Sequence, residues 1–403
     1  MSRICMISQS NLSDPRVRRQ AEALAEDGNE VDIICTCNDK NEPKIENFGF
    51  ITYYKVLVKK RYENAVRYAL HSFYFFIKTF FKLQSLSFIK SYDLIQIHNM
   101  PEFHVFTALF QKIAGIPVVL DIHDLTPELF DCKWGDKNHS VFSFIVRVVE
   151  KISCSFSNNI ITVTDICKEN LVNRGVPPEK ITLVLNTPNQ NIFKYDPGRE
   201  FRVITSGAKL IYHGTVAQRM GIHSAVESMK YINEKIPGST LAIYGHFDYS
   251  YKILIDKLIK RHNLEQSVCL HGEHPQEEIY EFIKASDFGV VPYVDNVYMN
   301  LCLSTKMFEY NASLLPVVAS RLKSFSMIFG DDSIAYTKPE CPHEIAEKII
   351  SLCNDPAKRK RMVCNAYSIL QSISGQIMSE RYLNLINSTI FGKKNIKVST
   401  SGI

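Results

Sequence analysis

A chain of 403 residues is long enough for two or three domains. With 45% hydrophobic and 22% charged residues it has the balance of a packed globular protein, which excludes a disordered, collagen-like or disulfide-miniprotein chain. The formal net charge of +5 is small for this length, and no nucleic-acid partner is expected.

The chain opens on Met1-Ser2-Arg3-Ile4-Cys5-Met6-Ile7-Ser8, an apolar run too short for a signal-peptide core and better read as a buried first strand. No charge-free run of 18 apolar residues predicts a membrane-spanning helix. Eleven cysteines are scattered without a CxxC pair. Cys35 and Cys37 would share one strand face, but no second ligand pair accompanies them, so a structural zinc site is not expected. The odd count without a secretion signal points to reduced, cytoplasmic thiols.

Asp14-Pro15 reads as an N-cap followed by proline at the first helical position; Val17, Ala21, Leu24 and Ala25 then repeat at helical spacing before Gly28. Strand candidates follow at 31–35, 51–58, 94–98, 118–122, 160–163 and 181–185, mostly separated by helical stretches. This alternation predicts a parallel sheet covered on both faces. Around 188–205 the pattern breaks into Asn, Pro and Gly, which reads as a linker. It restarts with strands at 209–213, 240–244, 268–271, 288–292 and 316–319. The expectation is an α/β protein of two doubly wound, Rossmann-like domains facing a central cleft, with ligands outside the carboxyl ends of the strands. A polar, frayed tail is expected at 393–403.

Three stretches after strands hold residues suited to chemistry. In Leu303-Ser304-Thr305-Lys306-Met307-Phe308-Glu309-Tyr310, Ser304 or Thr305 would cap a helix whose free amides suit a diphosphate. Glu309, one turn on, suits two ribose hydroxyls. The alternative is an amphipathic helix with a surface Lys306–Glu309 pair. In Tyr212-His213-Gly214-Thr215-Val216-Ala217-Gln218-Arg219-Met220-Gly221, Gly214 and Thr215 form a turn and Arg219 suits a phosphate clamp; the alternative is an ordinary loop with an exposed arginine. In Leu120-Asp121-Ile122-His123-Asp124-Leu125-Thr126-Pro127-Glu128, His123 and Asp124 end a strand, where an imidazole hydrogen-bonds a substrate, moves a proton or is structural. His98, Glu102 and His104 with His123 match no standard zinc spacing, and no metal is expected. Gly245 and His246 end one further strand and are candidates to touch the diphosphate or the base, and His271 and His274 end another and are candidates to line a base pocket; the alternative for each is an ordinary loop. The segment 55–90 carries eight basic residues against Glu63 alone, interleaved with aromatics; it suits peripheral contact with an anionic membrane, or else a core helix with solvated lysines.

Together these stretches, with Ser13-Asp14-Pro15-Arg16-Val17-Arg18-Arg19-Gln20, resemble glycosyltransferase family 4, retaining enzymes of the two-lobed GT-B fold, over about residues 3–390. The resemblance implies domains at 1–190 and 205–373, and a last helix at 374–391 crossing back to the first. It implies a donor site of Gly214, Thr215, Arg219, Gly245, His246, His274, Leu303, Ser304, Thr305, Lys306 and Glu309, with His123, Arg219 and Glu309 catalytic. An acceptor side of Asp14, Arg16, His98, Asp124 and Glu128 is expected. It further implies transfer from a UDP- or GDP-linked sugar to a saccharide or lipid-linked saccharide in polysaccharide biosynthesis, without cofactor or metal, by a cytoplasmic protein peripheral on the inner membrane face.

The sequence departs from the family pattern in three places. Leu301 stands where the first of two signature glutamates belongs, Thr215 replaces an arginine after the glycine turn, and Ser10-Asn11-Leu12-Ser13 replaces a glycine-rich loop. An impaired sugar-nucleotide-binding scaffold and a sugar-nucleotide epimerase are therefore the alternative readings.

Overall fold

The structure is a computed structural model that describes residues 1–12, 14–60, 65–134 and 140–400. The chain divides into two compact units: Met1–Asn186 with the chain from Gln376 onward, and Thr187–Gly375.

In the first unit the strands are β1 (Arg3–Ile7), β2 (Glu30–Cys37), β3 (Ile45–Phe48), β4 (Ile51–Val58), β5 (Leu94–His98), β6 (Val118–Ile122), β7 (Asn159–Thr162) and β8 (Ile181–Leu183). They form one sheet in the order β3-β4-β2-β1-β5-β6-β7-β8. All ladders are parallel except β3–β4, an antiparallel edge that the sequence reading did not anticipate. The helices are α1 (Pro15–Glu26), α2 (Ala65–Ser87), α3 (Leu109–Ile113), α4 (Thr126–Trp134), α5 (Ser140–Phe156) and α6 (Asp165–Asn173), with a 3₁₀ segment at Glu102–Ala108. Asp14 caps α1 by accepting from the Arg16 N–H (3.0 Å) and the Val17 N–H (3.3 Å).

In the second unit β9 (Lys209–His213), β10 (Thr240–Tyr244), β11 (Val268–Leu270), β12 (Phe288–Val291), β13 (Val317–Ser320) and β14 (Ala335–Thr337) form an all-parallel sheet ordered β11-β10-β9-β12-β13-β14. Its helices are α7 (Ile222–Lys235), α8 (Tyr249–Arg261), α9 (Gln276–Lys284), α10 (Thr305–Ala312), α11 (Lys323–Ser326), α12 (Pro342–Cys353) and α13 (Pro356–Ser372). Chain order reverses between β9 and β12, so ligands of such a sheet are expected outside the ends of these two strands. The stretch 188–205 read as a linker belongs to this unit.

The last helix, α14 (Gly375–Thr400), supplies Met378, Tyr382, Ile386 and Ile390 to the first unit's core, where they pack with Ile4, Val17, Leu24 and Ile33. Thus 393–400, expected to fray, is helical, while 401–403 lies outside the described residues. All eleven cysteines are free. Burial pushes the Cys35 thiol up to about 12, so it is a neutral apolar filler at physiological pH.

Candidate donor site

The two loops that follow β9 and β10 are drawn together by glycine. A Cβ on Gly245 would stand 1.9 Å from the Gly214 carbonyl oxygen, and Gly245 has φ +135°. With no side chain there, the Gly214 N–H donates to Tyr244 O at 2.9 Å and Val216 pairs with Phe247. Gly221 does the same on the other side. At φ +62° its missing Cβ would sit 1.9 Å from Pro292 O, and the Val294 N–H donates to Arg219 O at 3.3 Å. The turn carrying Arg219 is thereby packed against the backbone that leaves β12.

From that backbone Tyr293 reaches across to α10. Its hydroxyl lies 3.1 Å from Ser304 Oγ and accepts from Lys306 Nζ at 2.6 Å. Ser304 occupies the N-cap position, but its hydroxyl is turned to Tyr293 and does not cap. The backbone N–H groups of Ser304, Thr305 and Lys306 consequently meet no acceptor among the described residues. The helix begins with its positive end uncompensated.

Lys306 and Glu309 are both buried and do not pair with each other, so the surface ion pair considered from the sequence is excluded. Lys306 Nζ lies 4.8 and 4.9 Å from the ring centroids of Tyr212 and Tyr293. Burial opposes its charge, but the two tyrosines more than offset this, and its pKa is raised. The ammonium also stands against Gly214, 3.4 Å from where a Cβ would project. Glu309 Oε2 is 2.6 Å from His213 Nε2, and His213 Nδ1 is 3.0 Å from the Tyr310 hydroxyl. Glu309 Oε1 has no hydrogen-bond partner among the described residues, and neither has the half-buried Arg219 guanidinium.

These contacts bring Gly214, Arg219, Ser304, Lys306 and Glu309 into one neighbourhood at the ends of β9 and β12. Leu303 and Thr305 flank the open N-terminus of α10, and Thr215 O accepts from the Tyr212 hydroxyl at 2.6 Å. The residues expected to touch the diphosphate or base, or to line a base pocket, lie at the ends of β10 and β11. Tyr244 is sandwiched between His271 (4.5 Å, 11°) and Phe282 (4.4 Å, 11°), with His274 edge-on at 5.4 Å. His274 is held by Glu278 at 2.8 Å, and His246 is exposed, 3.8 Å from Glu273. His213, Tyr212 and Tyr310 lie within the sequence motifs without a role expected of them, and Tyr293 lies outside every motif. A histidine closing a strand immediately before the glycine turn was the available signal.

Three acceptor-side expectations need correction. Arg16 is buried in a two-pronged pair with Asp121, Nε–Oδ2 and Nη2–Oδ1 both 2.8 Å, so it anchors α1 to β6. His98 is fully buried, 3.3 Å from Asp121 Oδ2. Glu128 is engaged by Arg174, which also binds Glu150 at 2.7 Å. Asp14 is the α1 cap; burial alone would raise its pKa, but His123 and His98 hold its carboxyl low. His123 donates its backbone N–H to Asn99 Oδ1 at 3.1 Å, and its buried Nδ1 has no hydrogen-bond partner among the described residues. Asp124 is half-buried beside it, its carbonyl accepting from Asn99 Nδ2. Glu102 is buried against Asn99 and Thr126, and His104 lies against Phe75. Among the described residues no three His, Cys, Asp or Glu side chains gather to hold a metal ion.

The basic segment is also redistributed. Lys55 lies within β4 and pairs with Glu42 at 2.7 Å and with Glu46, while Lys90 pairs with Asp32 at 2.9 Å. Arg61, Tyr62 and Glu63 lie outside the described residues.

The sequence matches the model of Glycosyltransferase Family 4 over residues 16–187 and that of the glycosyl transferases group 1 over 199–369. Glycogen synthase from Mycobacterium tuberculosis is 24% identical over 277 residues, 67% of this chain and 62% of that protein. The chain thus spans less than two thirds of the length of the curated relatives it matches. Sucrose-phosphate synthase from Thermosynechococcus elongatus shares the fold with a TM-score of 0.78 at 17% identity, over 97% of this chain and 100% of that one. HepE from Anabaena, solved with UDP and glucose, gives 0.69 at 16%, over 96% and 100%. Two parallel-sheet, Rossmann-like units, each matched by its own family model, make this chain a member of glycosyltransferase family 4 with the GT-B fold.

Proposed function

We propose that the chain is a retaining glycosyltransferase that moves a hexose from a nucleoside diphosphate, UDP in the first instance, to a hydroxyl of a saccharide or lipid-linked saccharide in polysaccharide biosynthesis. The observation that carries this reading is a carboxylate with one oxygen committed and one open. His213 holds Glu309 Oε2, which leaves Oε1 for the two ribose hydroxyls. Arg219, without a side-chain partner among the described residues, the cation of Lys306 and the open amides at Ser304 and Thr305 suit the diphosphate. UDP is favoured because HepE, similar in fold, was solved with it.

In the reaction the bond between the sugar C1 and the diphosphate oxygen breaks. The acceptor oxygen bonds to C1 on the same face, and its proton passes to the departing phosphate. Stabilising the leaving charge is the protein's main contribution, with Arg219 and the amides of α10 in that role and no metal invoked. On the first unit, His123 and Asp124 are proposed to face the acceptor.

A second reading is favoured by one residue. Leu301 is buried where the family signature has a glutamate, which suits a donor-binding scaffold without turnover. Incubation of the purified chain with UDP-sugars and a panel of saccharide and lipid-linked acceptors separates the two. Transferase activity appears as UDP release that requires acceptor, with the anomeric configuration retained by NMR. Binding of UDP without release across the panel favours the scaffold, and an epimer formed without acceptor favours an epimerase.

A further inference from the structure

On the first unit, α5 is laid down with its apolar side outward. The residues it turns toward the protein include Glu150 and Ser153, both buried, with Glu150 held by Arg174 at 2.7 Å. The opposite stripe, Val141, Phe144, Ile145, Val148 and Ile152, recurs every three or four residues and is exposed, Phe144 by 68% and Ile152 by 51%. An ordinary surface helix has the reverse arrangement.

The helix α2 has two apolar sides. One carries Phe75, Leu83 and Leu86 inward; the other carries Leu70, Phe73 and Phe81 at the same spacing, exposed by 65, 57 and 67%. Ring contacts join these helices through the segment between them: Phe80 to Phe110 of α3 at 5.8 Å, and Phe106 of the 3₁₀ segment to Phe156 of α5 at 5.2 Å. In α3, Phe110 and Ile113 are exposed as well. Apolar side chains on three neighbouring elements far exceed the scattered exposed residues of an ordinary surface.

Charge identifies what covers this face. The helices α2, α3 and α5 carry six basic residues, Arg67, Lys78, Lys82, Lys112, Arg147 and Lys151, and one acidic residue, Glu150; Arg147 is paired with Asp131 of α4 at 3.1 Å and Glu150 with Arg174 at 2.7 Å. With those two pairs set aside, the other five basic residues leave +5 on three helices. A second copy of the chain would set +5 against +5, whereas an anionic surface complements it. No described helix is long and apolar enough to cross a membrane, so the face suits a bilayer on which the protein lies.

We propose that α2, α3 and α5 together form a docking face for an anionic phospholipid bilayer. The apolar stripes enter the boundary between headgroups and acyl chains, and the basic residues meet the lipid phosphates. This differs from the contact expected over 55–90. It discards Lys55 and Lys90, which are neutralised within the fold, and adds α3 and α5. It stands independently of the donor site.

The test is co-sedimentation of the full chain with vesicles of phosphatidylcholine alone or containing about 30% phosphatidylglycerol, at low and high salt. The chain is expected to bind the anionic vesicles and to be released by salt. The pairs Leu70→Ser/Phe81→Ser and Phe144→Ser/Ile152→Ser are each expected to weaken binding about tenfold or more, while unfolding remains cooperative. If a pair does not fold, Lys78→Glu/Lys151→Glu serves instead and is expected to abolish the salt-sensitive part. Failure of the wild-type chain to bind anionic vesicles overturns the proposal. So does equal binding by the variants, or a lipid-independent dimer that these variants dissociate.

Discussion

Glu309, His213 and Tyr310 act as a unit whose worth is positional. Without His213, the Glu309 carboxylate loses a partner at 2.6 Å and the orientation that leaves Oε1 open. His213→Ala is expected to raise the donor KM about tenfold to a hundredfold with a smaller change in kcat, the scale of one hydrogen bond to a charged group. A kcat loss with unchanged KM would contradict the assigned role. Gly221 is a second test at this scale. Alanine there takes on a φ of +62° and a Cβ 1.9 Å from a backbone oxygen, so Gly221→Ala is expected to destabilise the second unit by about 3 kcal/mol. Denaturant unfolding checks it; a change under about 0.5 kcal/mol, the range of surface substitutions, would show that the Arg219 turn is not held as described. Individual residues were legible in the sequence in proportion to how local their partners are. Asp14 reads as a cap because it bonds the next turn. Arg16 and His98 read as acceptor-side groups because Asp121, which pairs with both, is 105 and 23 residues away in sequence.

Among the elements, the buried parallel strands were nearly all visible because both faces are covered and each is a continuous apolar run. The strand β3 escaped notice because it is a four-residue, largely exposed edge, and β14, a three-residue edge strand of the second sheet, was also missed although the equally short β8 and β11 were read. The helix α5 shows why a pattern alone does not reveal which side faces inward. Its apolar stripe is plain in the sequence, and only the neighbours of Glu150 show that the stripe points away. The polar layer beneath α1 joins four elements, α1, β5, β6 and α14. Gln20 Nε2 donates to Asp121 Oδ2 at 2.8 Å, Gln96 Nε2 to Gln20 Oε1 at 2.5 Å, and the Tyr382 hydroxyl to Gln96 Oε1 at 2.6 Å. Burial alone would raise the pKa of Asp121, but Arg16 and His98 hold it well below the usual carboxylate range. A carboxyl lowered by folding stabilises the fold above its unfolded pKa, near 4, and this contribution disappears as pH falls through the folded value. Asp121→Asn is therefore expected to cost about 3–5 kcal/mol at pH 7, because Arg16 is left buried and unpaired, and progressively less below pH 4. A cost that does not change with pH, followed by thermal unfolding, would contradict this. Tyr382→Phe is expected to cost about 1 kcal/mol through the lost bond to Gln96.

On the scale of the whole molecule, the sequence displays two series of alternating strands and helices, and the structure resolves them into two sheets of Rossmann type. The break at 188–205 marked where the first series ends, although those residues fold with the second unit. The donor neighbourhood was legible as motifs because strand ends and helix starts carry their ligand groups within a few residues. The tyrosine lining around Lys306 was not, because Tyr212 and Tyr293 converge from separate strands. The central claim is that a nucleoside diphosphate rests in the second unit between Arg219, the start of α10 and Glu309. Thermal unfolding with and without UDP tests it most directly. At about 100 times the dissociation constant, UDP is expected to add roughly 2.7 kcal/mol to the stability of the wild-type chain, and most of that gain is expected to vanish in Glu309→Ala and in Arg219→Ala. Stabilisation of both variants equal to that of the wild type would place the nucleotide elsewhere and contradict the account.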